Sequence, residues 1–219
     1  MQFDAVALAR LVVREVRTAM RGGTTTKVVV ARRTYPTDQA DLWDAVTNRE
    51  RIPRWFLPVS GDLTVGGRYQ LEGNAGGVVE RCDAPSSFAV TWEMGDNVSW
   101  LTITLRPVDA GTELELAHEA EISPFWDEYG PGAVGVGWDL GLLGLGLHID
   151  SDGDPVDPAE FATFTMSPEG VEFVRNTTTG WGDAAIADGQ AESDARGAAE
   201  RTFIFYTVPP EMPSEDAPE

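Results

Sequence analysis

The chain has one cysteine, Cys82, and two histidines, and its basic side chains are few. A lone cysteine closes no internal disulfide, so nothing points to an oxidising compartment. One Cys and two His fall short of the usual structural zinc set, and no metal or other cofactor is expected. With 16 Lys and Arg against 36 Asp and Glu, the formal charge is −20. A chain of that sign repels phosphate backbones, which argues against nucleic acid as a partner. No G-x-S-x-G, H-E-x-x-H, C-x-x-C or Walker A sequence occurs, so the chemistries those motifs carry leave no trace. Long apolar runs are scarce too. The best membrane candidate, Ala133–Ile149, is 17 residues long with five glycines and Asp139 inside it. A central Asp costs about 2.5–3.5 kcal/mol on insertion, so a buried helix with no membrane span is expected. Asp4 stands where a secretory signal would carry basic residues, and a cytoplasmic protein is the expectation.

What is present suffices for a core: 219 residues, 42% of them hydrophobic, enough for one large domain or one ordinary domain with an appendage. The charge is uneven. Residues 1–54 hold ten basic and six acidic side chains, and residues 55–219 hold six basic and thirty acidic ones. Only the N-terminal quarter could meet an anionic partner.

Arg10, Arg14, Arg17 and Arg21 recur at helical spacing beside Val6, Val13, Val16 and Met20. That predicts an amphipathic helix within residues 1–26, stopped by Gly22-Gly23. It would dock on the acidic body of the chain, or on anionic lipid or another protein. Lys27–Tyr35 is β-rich, Pro36-Thr37 opens a short helix carrying Leu42, Trp43 and Val46, and Arg49–Trp55 is a second helical piece. Five strand-like runs follow: Gly67–Glu72, Gly77–Asp83, Phe88–Met94, Trp100–Val108 and Thr112–Ile122. Their connectors are turn residues. Phe88, Val90, Trp92 and Met94 alternate on one face, as do Leu114, Leu116, His118 and Ala120, with Glu113, Glu115, Glu119 and Glu121 opposite. This is an antiparallel sheet with one wet face. A long helix near Ala133–His148, with Trp138, Leu142, Leu145 and Ile149 at helical spacing, should cover the other. The class is α+β, a sheet wrapped around a helix over 27–149. Residues 150–208 read as an acidic connector and a helical extension, with helices at Ser167–Ala187 and Glu192–Tyr206. Residues 209–219 carry four Pro and four acids and should be a disordered tail.

Thr34-Tyr35-Pro36, Leu42-Trp43-Asp44-Ala45-Val46-Thr47, Arg54-Trp55-Phe56, Val65-Gly66-Gly67-Arg68-Tyr69, Gly77-Val78-Val79, Phe88-Ala89-Val90-Thr91-Trp92-Glu93 and Gly137-Trp138 follow one another in this order. In order and spacing the chain resembles the START-like (SRPBCC) superfamily, and within it bacterial members of the activator-of-Hsp90-ATPase homologue-like (AHSA1-like) branch. The resemblance implies a helix-grip (START/Bet v 1-like) fold with a cavity between a curved sheet and its long helix. It also implies binding of apolar or amphipathic small molecules, with catalysis by a few relatives.

His118 should point into the grip, as a hydrogen-bonded core residue, a polar anchor in a pocket, or an acid/base group if the protein is an enzyme. His148 ends the long helix, where an imidazolium would suit the dipole. Trp43, Trp55, Phe56, Tyr69, Trp92 and Trp138 lie on inward surfaces, with Phe125, Trp126 and Tyr129 leading into the long helix. They fill the core or line a ligand pocket. Gly130-Pro131-Gly132-Ala133-Val134-Gly135 fits G-x-G-x-x-G but follows no strand. Its glycines would instead let the helix approach the sheet closely, or leave room for a ligand. Asp150-Ser151-Asp152-Gly153-Asp154 begins like a calcium loop but lacks its Gly and closing Glu. Cys82 reads as a small buried side chain. The leading function is non-catalytic binding of a hydrophobic or amphipathic small molecule. The alternatives are a cavity enzyme of cyclase, dehydratase or hydrolase type using His118, and a protein-interaction or chaperone-associated module, with a homodimer among its forms.

Overall fold

Two adjacent glycines set the N-terminal course of the chain. Gly22 and Gly23 both have positive φ, 57° and 91°, the backbone of a two-residue hairpin turn whose hand matches strand twist. They join strand β1 (Val13–Arg21) to strand β2 (Thr24–Tyr35) in antiparallel register from Val13↔Arg32 to Arg21↔Thr24. The expected N-terminal helix is therefore corrected. In the computed structural model, which describes residues 4–208, only α1 (Ala5–Arg10) is helical there, capped by Asp4. Val16 points inward and is buried, while Glu15 and Arg17 face out. The arginine spacing read as a helical stripe is split between the two faces of a strand. Residues 13–26 thus belong to the sheet, and the grip begins well before Lys27. Residues 1–3 and the 209–219 tail lie outside the described residues.

The chain continues through α2 (Gln39–Thr47), N-capped by Asp38, and a 3₁₀ turn at Ile52–Arg54. Strands β3 (Val59–Gly61), β4 (Arg68–Leu71), β5 (Gly76–Asp83), β6 (Ser87–Met94), β7 (Asn97–Val108) and β8 (Gly111–Glu121) follow. They form one antiparallel sheet in the order β1-β2-β8-β7-β6-β5-β4-β3. The three-residue β3 is too short to show a strand pattern in sequence. The outer face carries cross-strand ion pairs: Arg32 with Glu15 and Glu115, and Arg21 with Glu119. Arg17 and Arg32 hold the Glu15 carboxyl low, at about 2.

Helix α3 (Pro124–Tyr129) leads into α4 (Gly132–Asp150), and the connector adds α5 (Pro158–Thr163) and a 3₁₀ turn at Phe164–Met166 that the acidic composition hid. Helices α6 (Pro168–Ala187) and α7 (Glu192–Thr207) complete the extension. Helix α4 meets the length and hydropathy of a membrane span, yet most of it is buried inside the fold. It is apolar on nearly every side, so it is covered twice. Leu142 and Leu145 face the sheet, and at Gly135 a Cβ would overlap the Trp181 indole of α6. The glycine-rich start of α4 thus serves the extension. Gly146, farther along, makes room for the Arg33 guanidinium of β2. Arg33 donates to the Leu142 carbonyl at 2.8 Å, as does the Tyr35 hydroxyl at 3.0 Å.

Asp139 is fully buried in α4. Arg14 of β1 reaches it with Nε and Nη2 at 3.0 and 2.9 Å, and Trp181 Nε1 donates to it at 2.8 Å. The other Arg14 donations go to the Val12 and Ala9 carbonyls. Burial pushes the Asp139 carboxyl up, and the Arg14 charge opposes that rise. One pair thus joins the first strand, the central helix and the extension. Removing one partner strands the other, so Arg14→Leu should cost about 3–5 kcal/mol in urea unfolding. The double variant Arg14→Leu/Asp139→Leu should cost less than that single change.

Candidate functional site

Between the inner face of the sheet and α4 lies a cavity of about 380 Å³. Helix α2 supplies Trp43, Val46 and Thr47, and the following 3₁₀ turn supplies Ile52, Trp55 and Phe56. Strands contribute Tyr69, Val79, Phe88, Val90 and Trp92, with Leu101, Ile103, Leu114 and Leu116 behind. Trp138, Gly141, Leu142 and Leu145 of α4 form the opposite wall. The strand residues reach the void because alternate side chains share a face. The α4 residues reach it because positions three and four apart do. No Asp, Glu, Lys, Arg or His is among the lining side chains.

The aromatic rings form a connected wall. Trp92 and Trp138 meet edge to face at 4.9 Å between centroids, Phe56 stacks on Trp138 at 6.4 Å, and Trp55 on Phe56 at 5.4 Å. Trp43 meets Phe88 edge-on at 6.0 Å. Most polar tips are already engaged. Trp55 Nε1 donates to the Ala45 carbonyl, the Thr47 hydroxyl to the Trp43 carbonyl, and the Tyr69 hydroxyl to the Thr91 carbonyl. Burial pushes the Tyr69 phenol up, so it stays protonated.

His118 sits on the inner face of β8, but behind the wall. Trp138 Nε1 donates to its Nδ1 at 2.9 Å, so the ring proton is on Nε2, 2.7 Å from the Ser99 hydroxyl. Ser99 in turn donates to the Trp92 carbonyl at 3.0 Å. Both ring nitrogens are used, and His118 is absent from the cavity lining. This arrangement anchors the Trp138 indole and, through Ser99, the Trp92 backbone, and it leaves His118 no free nitrogen.

Of the ten residues expected at a ligand site, six line the cavity: Trp43, Trp55, Phe56, Tyr69, Trp92 and Trp138. Phe125 and Tyr129 pack against Phe205 of α7, and Trp126 sits beside Arg201 in a separate surface groove. They serve the extension, which needs apolar cover that the 27–149 domain alone does not. His148 is fully buried. It donates from Nδ1 to the Asp154 carbonyl at 2.9 Å, and Arg51 faces its Nε2 at 3.4 Å. It clasps the end of α4 to the 150–154 loop and to Arg51, just before the 3₁₀ turn. Cys82 is corrected as well: its thiol is exposed, at the edge of the cavity lining. Ile52, Val59 and Leu63 also reach the void, from segments with no periodicity to mark them.

Residues 36–140 match the family described as Activator of Hsp90 ATPase homolog 1-like protein. The crystal structure of CalU16 from Micromonospora echinospora is 26% identical, covering 80% of this chain and 98% of that one, with a TM-score of 0.65. Its solution NMR structure gives 28% identity, coverage of 80% and 96%, and a TM-score of 0.66. MLL2253 from Mesorhizobium loti, 23% identical over 57% of this chain and 97% of its own, shares the fold with a TM-score of 0.51. No curated protein matches the chain.

Burial holds the His118 pKa down at about 4, against about 6.5 when unfolded. As the pH falls the unfolded chain takes this proton first. The stability tied to the neutral ring is therefore complete above about pH 6.5 and is lost toward pH 4. Between pH 7 and 4.5 the protein should lose about 2–3 kcal/mol more than a His118→Gln variant does, measured by urea unfolding at each pH.

Proposed function

We propose that this chain, which belongs to the AHSA1-like branch of the START-like superfamily, binds a hydrophobic or amphipathic small molecule in the cavity between sheet and long helix, without catalysis. The observation that carries the reading is a void of about 380 Å³ walled mostly by aromatic and aliphatic side chains, with no Asp, Glu, Lys, Arg or His lining it. A tightly packed core leaves few spaces larger than a water molecule, so this volume is more than filling requires. The cavity-enzyme alternative loses its named residue, because His118 is engaged on both nitrogens behind Trp92 and Trp138. The proposal includes a cytoplasmic location, in keeping with the single exposed thiol.

Filling the void tests this. Leu116 lines it from β8, and Leu116→Trp would place an indole inside. The variant should keep its unfolding free energy within about 1.5 kcal/mol of the parent, since the added volume has a place to go. It should bind Nile red, an uncharged dye, at least tenfold more weakly in a fluorescence titration. Undiminished dye binding by a folded variant would remove the cavity as the binding site.

A further inference from the structure

The ligand's chemistry can be read from the hydrogen-bond groups that the cavity wall leaves free. Four tryptophans line the void. Trp55 and Trp138 spend their N–H groups on the Ala45 carbonyl and on His118. Trp43 and Trp92 do not: among the described residues neither Nε1 has an acceptor, and neither is sealed from a water-sized molecule. An indole nitrogen donates and cannot accept. Two residues of the lining, Trp43 and Trp92, therefore carry donors that no protein acceptor among the described residues takes, whereas the hydroxyl protons of Thr47 and Tyr69 are already committed.

The two donors stand at different ends of the void. Trp43 packs on Phe88, whereas Trp92 lies four residues farther along β6 and packs on Trp138, about 13 Å of extended strand away. Charge is absent from the lining, so a free carboxylate, phosphate or ammonium group inside would be buried without a partner. Volume sets the scale: a cavity of about 150 Å³ accepts one benzene ring, and 380 Å³ has room for about three fused rings. A lining with four tryptophans and two phenylalanines suits flat rings better than a flexible chain.

We propose that the ligand is an uncharged, fused-ring aromatic compound bearing ketone- or quinone-type acceptor oxygens, received by the indole N–H groups of Trp43 and Trp92. This rests on the cavity being the ligand site and goes further by stating what occupies it. The same wall offers a free carboxylate or phosphate no charged partner inside the cavity.

The test compares fluorene, which has no acceptor, with 9-fluorenone, the same ring system with one carbonyl, by equilibrium dialysis against the full-length protein. Palmitate serves as the charged-chain control. Fluorenone should bind at least fivefold tighter than fluorene, and palmitate at least tenfold more weakly than fluorenone. Replacing a donor while keeping a ring, as Trp43→Phe or Trp92→Phe, should narrow the fluorenone advantage to twofold or less in at least one variant. Fluorene affinity should stay within twofold in both, which also reports that the variants fold. Equal binding of the two compounds, an advantage that survives both Phe variants, or tighter binding of palmitate would overturn this assignment while leaving the cavity reading intact. If no compound bound, both readings would fall.

Discussion

The structure depends on one buried ion pair. Helix α4 is covered on two sides, and the side turned away from the sheet carries a carboxylate, Asp139, with no access to water. An isolated charge there would be prohibitive. Arg14 meets it from β1 in a two-point contact, and Trp181 meets it from α6. The N-terminal strand and the C-terminal extension are thereby parts of one core with the central helix. The pair also accounts for the basic bias of the first quarter of the chain: the arginines there answer acids elsewhere in the same chain. Arg21 reaches Glu119, Arg32 reaches Glu115, and Lys27 reaches Asp188 at the end of α6.

The grip itself was legible in the sequence because its signals are periodic. The β6 set Phe88, Val90 and Trp92 and the β8 set Leu114, Leu116 and His118 alternate on one face, as read. The short helix after Pro36-Thr37 and the long apolar run of α4 also fall where expected. The errors arose where two periods compete. Arginines at positions 10, 14, 17 and 21 fit a helix by spacing, yet Gly22-Gly23 between two β-branched runs is a stronger hairpin signal. Four of the ten ring residues expected at a ligand site lie off the cavity lining for a different reason. His118 is buried, Trp126 and Tyr129 are half-buried and Phe125 is exposed; a pattern reports at most that a side chain is covered. What covers it, a neighbouring helix or a void, is decided by tertiary contacts. Cys82 shows the reverse: it was read as buried, and the end of β5 runs out to the cavity rim.

The polar groups around the cavity are turned mainly toward the protein. An acid/base residue must reach the reacting atom with one nitrogen or oxygen free. Here both nitrogens of His118 and the hydroxyl protons of Tyr69 and Thr47 are spent on the protein. His118 anchors the Trp138 indole through Nδ1, and Trp55 is tied to α2 through the Ala45 carbonyl. The polar atoms of the interior therefore act on ring orientation, and ring orientation shapes the void. The acidic surface takes no part in this, which is how a chain of charge −20 can enclose an uncharged interior.

The close approaches along α4 have a consequence for selectivity. At Gly135 the helix backbone lies against the Trp181 ring and at Gly146 against the Arg33 guanidinium, with no spare distance at either place. A wall braced in this way cannot recede. A guest slightly too thick has to be accommodated by the opposite side, where α2 and the brief strand β3 are held by fewer neighbours. The cavity should then act as a gauge with one fixed jaw, tolerant in the direction of α2 and unforgiving toward α4. Thickness, more than length, would decide which molecules are admitted.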